Sequence, residues 1–207
     1  DASAHDSGAS AHDSGASAHD SGAHDSGASA HDSGASAHDS GAHDSGGPAP
    51  AGCTAVGLEL IELVNAYRAD NGLPAIPASP SLCTVAAAHT RDLAENAPHT
   101  EPGCNLHSWS DRGSWTPCCY TPDHAAAQCM WDKPRELTEY PGNGYENAFA
   151  GRNDPQSALM GWQSSPAHDD VILNRGIWAD RPWRALGADV HGGFAVLWFG
   201  HEDDPAD

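Results

Sequence analysis

The sequence predicts an α+β domain, with antiparallel strands between helices, carried behind a repetitive arm that is not globular. Three observations predict it. The first 46 residues hold only Ala, Ser, Gly, His and Asp, too little apolar surface to bury a core. The rest of the chain holds all the cysteines, aromatics and branched apolar residues, at first with helical spacing. Its close is β-rich on both sides of the turn His191-Gly192-Gly193, residues 185–190 and 194–199, and reads as a hairpin.

Residues 1–46 repeat one phrase. His-Asp-Ser-Gly occurs seven times, at His5, His12, His19, His24, His31, His38 and His43. The spacing 7, 7, 5 recurs, so the unit is a 19-residue super-repeat. Three roles compete for such an arm. Small side chains allow close strand or extended-helix packing, hence self-association, even into filaments. An imidazole beside a carboxylate in every repeat suits divalent cations such as Zn, Cu, Ni or Ca. A plain tether is the third, reaching ~150 Å when fully extended. Residues 47–52 are a Gly/Pro linker, and 53–207 form the domain.

Net charge is −20, and the arm holds eight Asp with no Lys or Arg. The basic footprint of a nucleic-acid binder is missing. Anionic lipid headgroups are disfavoured as well, while cations and basic partners are favoured. No apolar run reaches transmembrane length. A chain that starts at Asp1 without a leader is expected to be the mature form of a secreted or cell-surface protein. No Asn-x-Ser/Thr acceptor occurs.

Six cysteines, Cys53, Cys83, Cys104, Cys118, Cys119 and Cys129, point to an oxidising compartment and up to three disulfides. Six allow 15 pairings. The neighbours Cys118 and Cys119 are expected to bond outward to different partners, since a bridge between adjacent residues is strained. The rival, a zinc site, lacks any Cys-x-x-Cys pair.

Within the domain, Leu60, Ile61, Val64 and Tyr67 fall at helical spacing, with Arg68 on another face, and Asn71-Gly72-Leu73-Pro74 ends the helix. Ser79 caps a second helix and Pro80 suits its first turn. Its stripe of Leu82, Val85, Ala86, His89 and Leu93 makes His89 a hydrogen-bonded core residue rather than a ligand. Residues 97–122 read as loop, and 125–131 as a short helix. Residues 145–149 read as a strand. Asp154-Pro155 opens a helix that runs to about Ser164.

Those segments resemble, in order, the CAP superfamily: cysteine-rich secretory proteins, antigen 5 and pathogenesis-related 1. The resemblance is carried by the first helix with Asn71-Gly72-Leu73-Pro74, Ala87-Ala88-His89, His107-Ser108 and Gly144-Tyr145-Glu146-Asn147. The segment from Gly161-Trp162 through Ser165-Pro166-Ala167-His168 and the closing residues 194–200 complete it. The Ser-Pro-x-His form is closest to bacterial-type members. The match covers roughly residues 54–204; the cysteine-bearing insert 109–140 resembles inserts in some microbial and algal members. The resemblance implies a three-layer α-β-α sandwich. It also implies a cleft that in many members carries two histidines and two glutamates. His107 and His168 match the histidines and Glu146 the first glutamate; the second falls on Ser165.

Two imidazoles and a carboxylate make a zinc shell with an open fourth position, or activate a water for hydrolysis. The same three groups also suit a plain hydrogen-bonded network that stiffens the cleft. Ser108, Ser110 and Ser165 sit near the histidines in sequence, but none lies in a nucleophile-elbow pattern. An enzyme is therefore not the expected outcome. His124 reads as a surface or capping residue. Trp109, Trp115 and Trp131 read either as partner-facing or as packing for the disulfides. The expected role is a structural or adhesive subunit of an extracellular assembly, self-associating through the arm. The alternative is a surface-tethered module for a lipid, sterol or metal, and the third is a metal-dependent hydrolase.

Overall fold

The computed structural model of the protein describes residues 51–206. The repeat arm, with His5, His12, His19, His24, His31, His38 and His43, lies outside them.

Helix α1 (Ala55–Asp70) starts where the Thr54 hydroxyl accepts from Gly57 N at 3.0 Å. Helix α2 (Pro80–Asn96) starts likewise, with Ser79 Oγ accepting from Leu82 N at 3.0 Å and Pro80 at the first helical position. Two one-turn helices follow, α3 (Ala127–Trp131) and α4 (Lys133–Leu137). Strand β1 (Tyr145–Ala150) then leads to α5 (Pro155–Gln163), capped by Asp154 accepting from Ser157 N at 2.8 Å. Helix α6 (Pro166–Ile172) precedes the hairpin of β2 (Ala185–His191) and β3 (Phe194–Gly200).

The three strands are antiparallel in the order β1-β3-β2. Alternation along central β3 splits the core in two. Ala195, Leu197 and Phe199 join Leu60, Ile61 and Val64 of α1 and Leu159 and Trp162 of α5. Val196 and Trp198 join Leu82, Val85 and Leu93 of α2 on the opposite face. This is the α-β-α sandwich that the sequence resemblance implies.

The helices come very close to β2. A Cβ on Gly57 of α1 would collide with the Ala188 carbonyl, and a Cβ on Gly187 would collide with the Leu82–Cys83 backbone of α2. Both glycines permit backbone-to-backbone packing, one on each side of the strand.

All six cysteines pair, as Cys53–Cys83, Cys104–Cys119 and Cys118–Cys129. The adjacent cysteines bond outward as expected. The first bridge ties the entry of α1 to α2, and the other two fasten the long loop before α3.

Two expectations need correction. Arg68 faces inward and Tyr67 only half does. The guanidinium satisfies the Ile172 carbonyl, Pro74 O at 3.1 Å and Asn174 Oδ1 at 2.9 Å, while Tyr67 Oη donates to Asp169 at 2.7 Å. The helix beginning at Pro155 ends at Gln163, as expected, but a further helix that the sequence reading did not place follows it. It opens at Pro166 after Ser165, placing His168 in its first turn. No helix among the described residues is long and apolar enough to cross a membrane.

Candidate functional site

Four segments meet at one cleft. Strand β1 supplies Tyr145, Glu146 and Asn147. The disulfide-tied loop supplies Asn105, His107, Tyr120, Pro122 and His124. Helix α3 adds Met130 and Trp131, and α6 with the turn after it adds Ala167, His168, Val171 and Trp178. The three residues singled out by the resemblance, His107, Glu146 and His168, thus line one space.

The loop is held from within. The Ser108 hydroxyl accepts from Asn105 N at 3.2 Å and Tyr120 N at 3.0 Å, and Trp109 pairs with Cys118 in an antiparallel bridge. Asn105 Oδ1 accepts from His107 N at 3.0 Å, which sets the His107 turn. Asp92 of α2 anchors the next residue, accepting from Ser110 N at 2.8 Å and Ser110 Oγ at 2.5 Å.

Glu146 is clasped between two imidazoles. His89 Nδ1 lies 2.5 Å from Oε1, and His107 Nδ1 lies 2.8 Å from Oε2. His89 is fully buried and stacks on Trp109, with centroids 4.3 Å apart and planes 7° from parallel. Its Nε2 faces the Ser108 carbonyl oxygen at 3.0 Å. A carbonyl only accepts, so Nε2 carries a proton. A second proton is needed between Nδ1 and Glu146. His89 and Glu146 therefore share one proton, whichever atom holds it; this assignment follows from the acceptors each nitrogen faces. Burial pushes the Glu146 carboxyl up, but attraction to His89 and hydrogen bonds from His107 and His89 outweigh it and hold the group below its usual range. With the carboxylate charged, His107 donates from Nδ1.

His168 sits at the opposite wall. Its Nδ1 meets Ser165 Oγ at 2.7 Å, and its carbonyl accepts from Asn147 Nδ2 at 3.0 Å. His124 also belongs to the cleft, against the sequence expectation of a surface or capping residue. Its φ of 58° turns the loop back on itself, and its Nδ1 lies 2.7 Å from Tyr120 Oη. Burial, with the Glu146 charge nearby, pushes the Tyr120 phenol up to about 12. Tyr120 and His124 carry no local sequence pattern that marks them.

The tryptophans divide. Trp109 and Trp115 pack edge-to-face in the core beside Cys118, whereas Trp131 lines the cleft. Trp131, Tyr145 and Trp178 form a continuous aromatic wall. Tyr145 lies 5.8 Å from Trp131 and 5.3 Å from Trp178, centroid to centroid, with planes turned by 51° and 71°.

Two of the three serines near the histidines are committed elsewhere. Ser108 and Ser110 hold the loop, and Ser165 bonds His168. Both oxygens of Glu146 meet imidazole nitrogens, and the second carboxylate is replaced by Ser165. Among the described residues no group of three or more His, Cys, Asp or Glu is gathered as metal ligands.

Comparison with known proteins follows this geometry. The profile of the cysteine-rich secretory protein family, CAP, matches residues 61–177. No curated protein matches the chain. Among solved structures, an extracellular protein with an SCP domain from Bacillus anthracis is 19% identical, with a TM-score of 0.48, covering 70% of this chain and 40% of that one. A cysteine-rich secretory protein from Staphylococcus aureus is 17% identical, with a TM-score of 0.46, covering 70% and 38%. An outer surface protein from Borrelia burgdorferi is 15% identical, with a TM-score of 0.46, covering 70% and 92%. The chain thus spans about two fifths of the first two proteins.

Proposed function

Since this chain belongs to the cysteine-rich secretory protein family, CAP, we propose that it is an extracellular binding module whose cleft takes up a small organic ligand. One observation carries the reading: histidines and aromatic rings from four separate segments converge on one concave space. Ser108 and Ser110 are tied into bonds that hold the loop, and Ser165, the one serine paired with a cleft histidine, lies in no nucleophile-elbow pattern, which favours binding over hydrolysis. Three disulfides suit an oxidising, extracytoplasmic setting.

The test is a panel of small polar and apolar fragments, read by the shift in Tm and by the resonances of the cleft tryptophans. Binders raise the Tm of the full chain. Ala167→Phe, which fills the cleft from its half-exposed rim, abolishes those shifts. A panel that leaves both Tm and cleft resonances unmoved refutes the reading.

The repeat supports a second role alongside the first: a structural or adhesive subunit that self-associates through residues 1–46. Seven His-Asp-Ser-Gly phrases in two 19-residue rounds give an arm built for repeated contacts. Its eight Asp and seven His make association stronger below pH ~6.5, where histidine protonation offsets the acidic charge. Light scattering at pH 5 and pH 8, with and without Zn²⁺, tests this, and electron microscopy shows whether the assemblies are filaments. Equal scattering in all four conditions rules out pH- and metal-dependent association, and isolated particles by microscopy rule out assembly.

A further inference from the structure

We propose that the ligand group this cleft selects is a quaternary ammonium, seated against the wall of Trp131, Tyr145 and Trp178. The inference rests on the reading of the cleft as a binding site and goes further by naming the chemistry.

Three features of the cleft converge. The wall presents three half-buried aromatic rings that line one space, with Tyr145 in contact with both indoles. Such faces attract cations through their quadrupoles, tryptophan most strongly. No Lys or Arg, whose charge is permanent, is among the residues lining the cleft. The chain as a whole carries −20, which raises the local concentration of cations over anions.

The type of cation follows from the floor. Both oxygens of Glu146 already meet imidazole nitrogens. The Glu146 side chain is also fully buried, so a primary ammonium, which brings three N–H donors, would find no exposed carboxylate to accept them. A quaternary ammonium has no N–H donors and is satisfied by aromatic faces and by apolar neighbours such as Met130 and Val171. Size agrees. The cavity holds about 90 Å³, room for roughly three waters at ~30 Å³ each, which suits a trimethylammonium head and not a whole sterol.

The experiment titrates the full chain with choline chloride and with its neutral carbon isostere, in which a quaternary carbon replaces the nitrogen, at matched ionic strength. The indole N–H resonances of Trp131 and Trp178 report occupancy. The expected result is choline binding about tenfold or more tighter than the isostere, with Trp178→Leu reducing choline affinity by a similar factor. A third arm uses phosphatidylcholine vesicles in a sedimentation assay. Equal affinity for choline and isostere overturns the proposal and leaves an apolar ligand site, so the binding reading stands. Sedimentation with vesicles in the absence of choline binding overturns it in favour of a lipid surface. No response to choline overturns it too; if the fragment panel also leaves the cleft unmoved, the binding reading falls with it.

Discussion

His89 Nδ1 and Glu146 Oε1 lie 2.5 Å apart, joining the middle of α2 to the start of β1. Both groups are buried, so each offsets much of the other's desolvation cost. His89→Ala leaves Glu146 with one imidazole partner and an empty space against Trp109. The expected loss is about 3–5 kcal/mol in urea unfolding. The double variant His89→Ala/Glu146→Ala is expected to lose less than the two single variants combined, by about 1 kcal/mol or more. Additive losses would show that the shared proton contributes nothing.

A second relationship concerns backbone clearance. Gly57 and Gly187 let α1 and α2 approach β2 from opposite faces. Gly57→Ala sits in a helix where alanine is the better helix former, so propensity alone predicts a gain of about 1 kcal/mol. The collision with the Ala188 carbonyl reverses that sign. Both Gly57→Ala and Gly187→Ala are expected to cost about 1–3 kcal/mol, because backbone, unlike a side-chain tip, has no rotamer in which to yield. A stabilised Gly57→Ala protein would refute the close approach.

These glycines mark where sequence reading stops. Ser79-Pro80 announces α2 because a cap is a local device, and His89 is recognisably internal because it falls on that helix's apolar stripe. The hairpin and the outward bonding of Cys118 and Cys119 follow from similarly short-range rules. Arg68 was misplaced since its partners, Ile172 and Asn174, are more than a hundred residues away. His124 and Tyr120 join the cleft only through the folded loop. Ser165-Pro166 repeats the Ser79-Pro80 pattern at the start of α6, but the Ser165 hydroxyl makes no cap bond and meets His168 instead. The cleft histidines and Glu146 were reached through family resemblance, since no local pattern links positions 107, 146 and 168.

The disulfides are expected to separate global from local stability. Cys53–Cys83 spans 30 residues between the entry of α1 and α2, and its removal costs about 3–4 kcal/mol of global stability in the loop-entropy picture. Cys104–Cys119 encloses His107, and its neighbour Cys118–Cys129 encloses Tyr120 and His124. Replacing Cys104 and Cys119 by Ser should raise amide exchange first over residues 105–120 and weaken any cleft ligand, while the sheet exchanges as before. Hydrogen exchange of the two double variants distinguishes them. Uniform loss of protection in both would mean that the loop and sandwich unfold as one unit.

Asp204 links the C-terminal segment to the start of α2 and sets an acid limit on the fold. It accepts from Ser79 Oγ, from Ser81 N and Ser81 Oγ at 2.8 Å each, and from Ala206 N at 3.0 Å. Burial pushes the carboxyl up, yet those bonds prevail and hold it below its ordinary value of 3.8. A carboxyl depressed in the folded state stabilises the fold above its unfolded pKa, and that stability is lost as pH falls through the folded value. At pH 7 Asp204→Asn is expected to cost about 1–3 kcal/mol, since the amide accepts through one oxygen and brings two donors to a cluster that already donates. The gap between wild type and Asp204→Asn should hold from pH 7 to about 5, then shrink as acid protonates the wild-type carboxyl below about pH 4. Urea unfolding across pH 3–7 measures it. A gap that stays constant to pH 3 would mean that shape rather than charge holds the tail against α2.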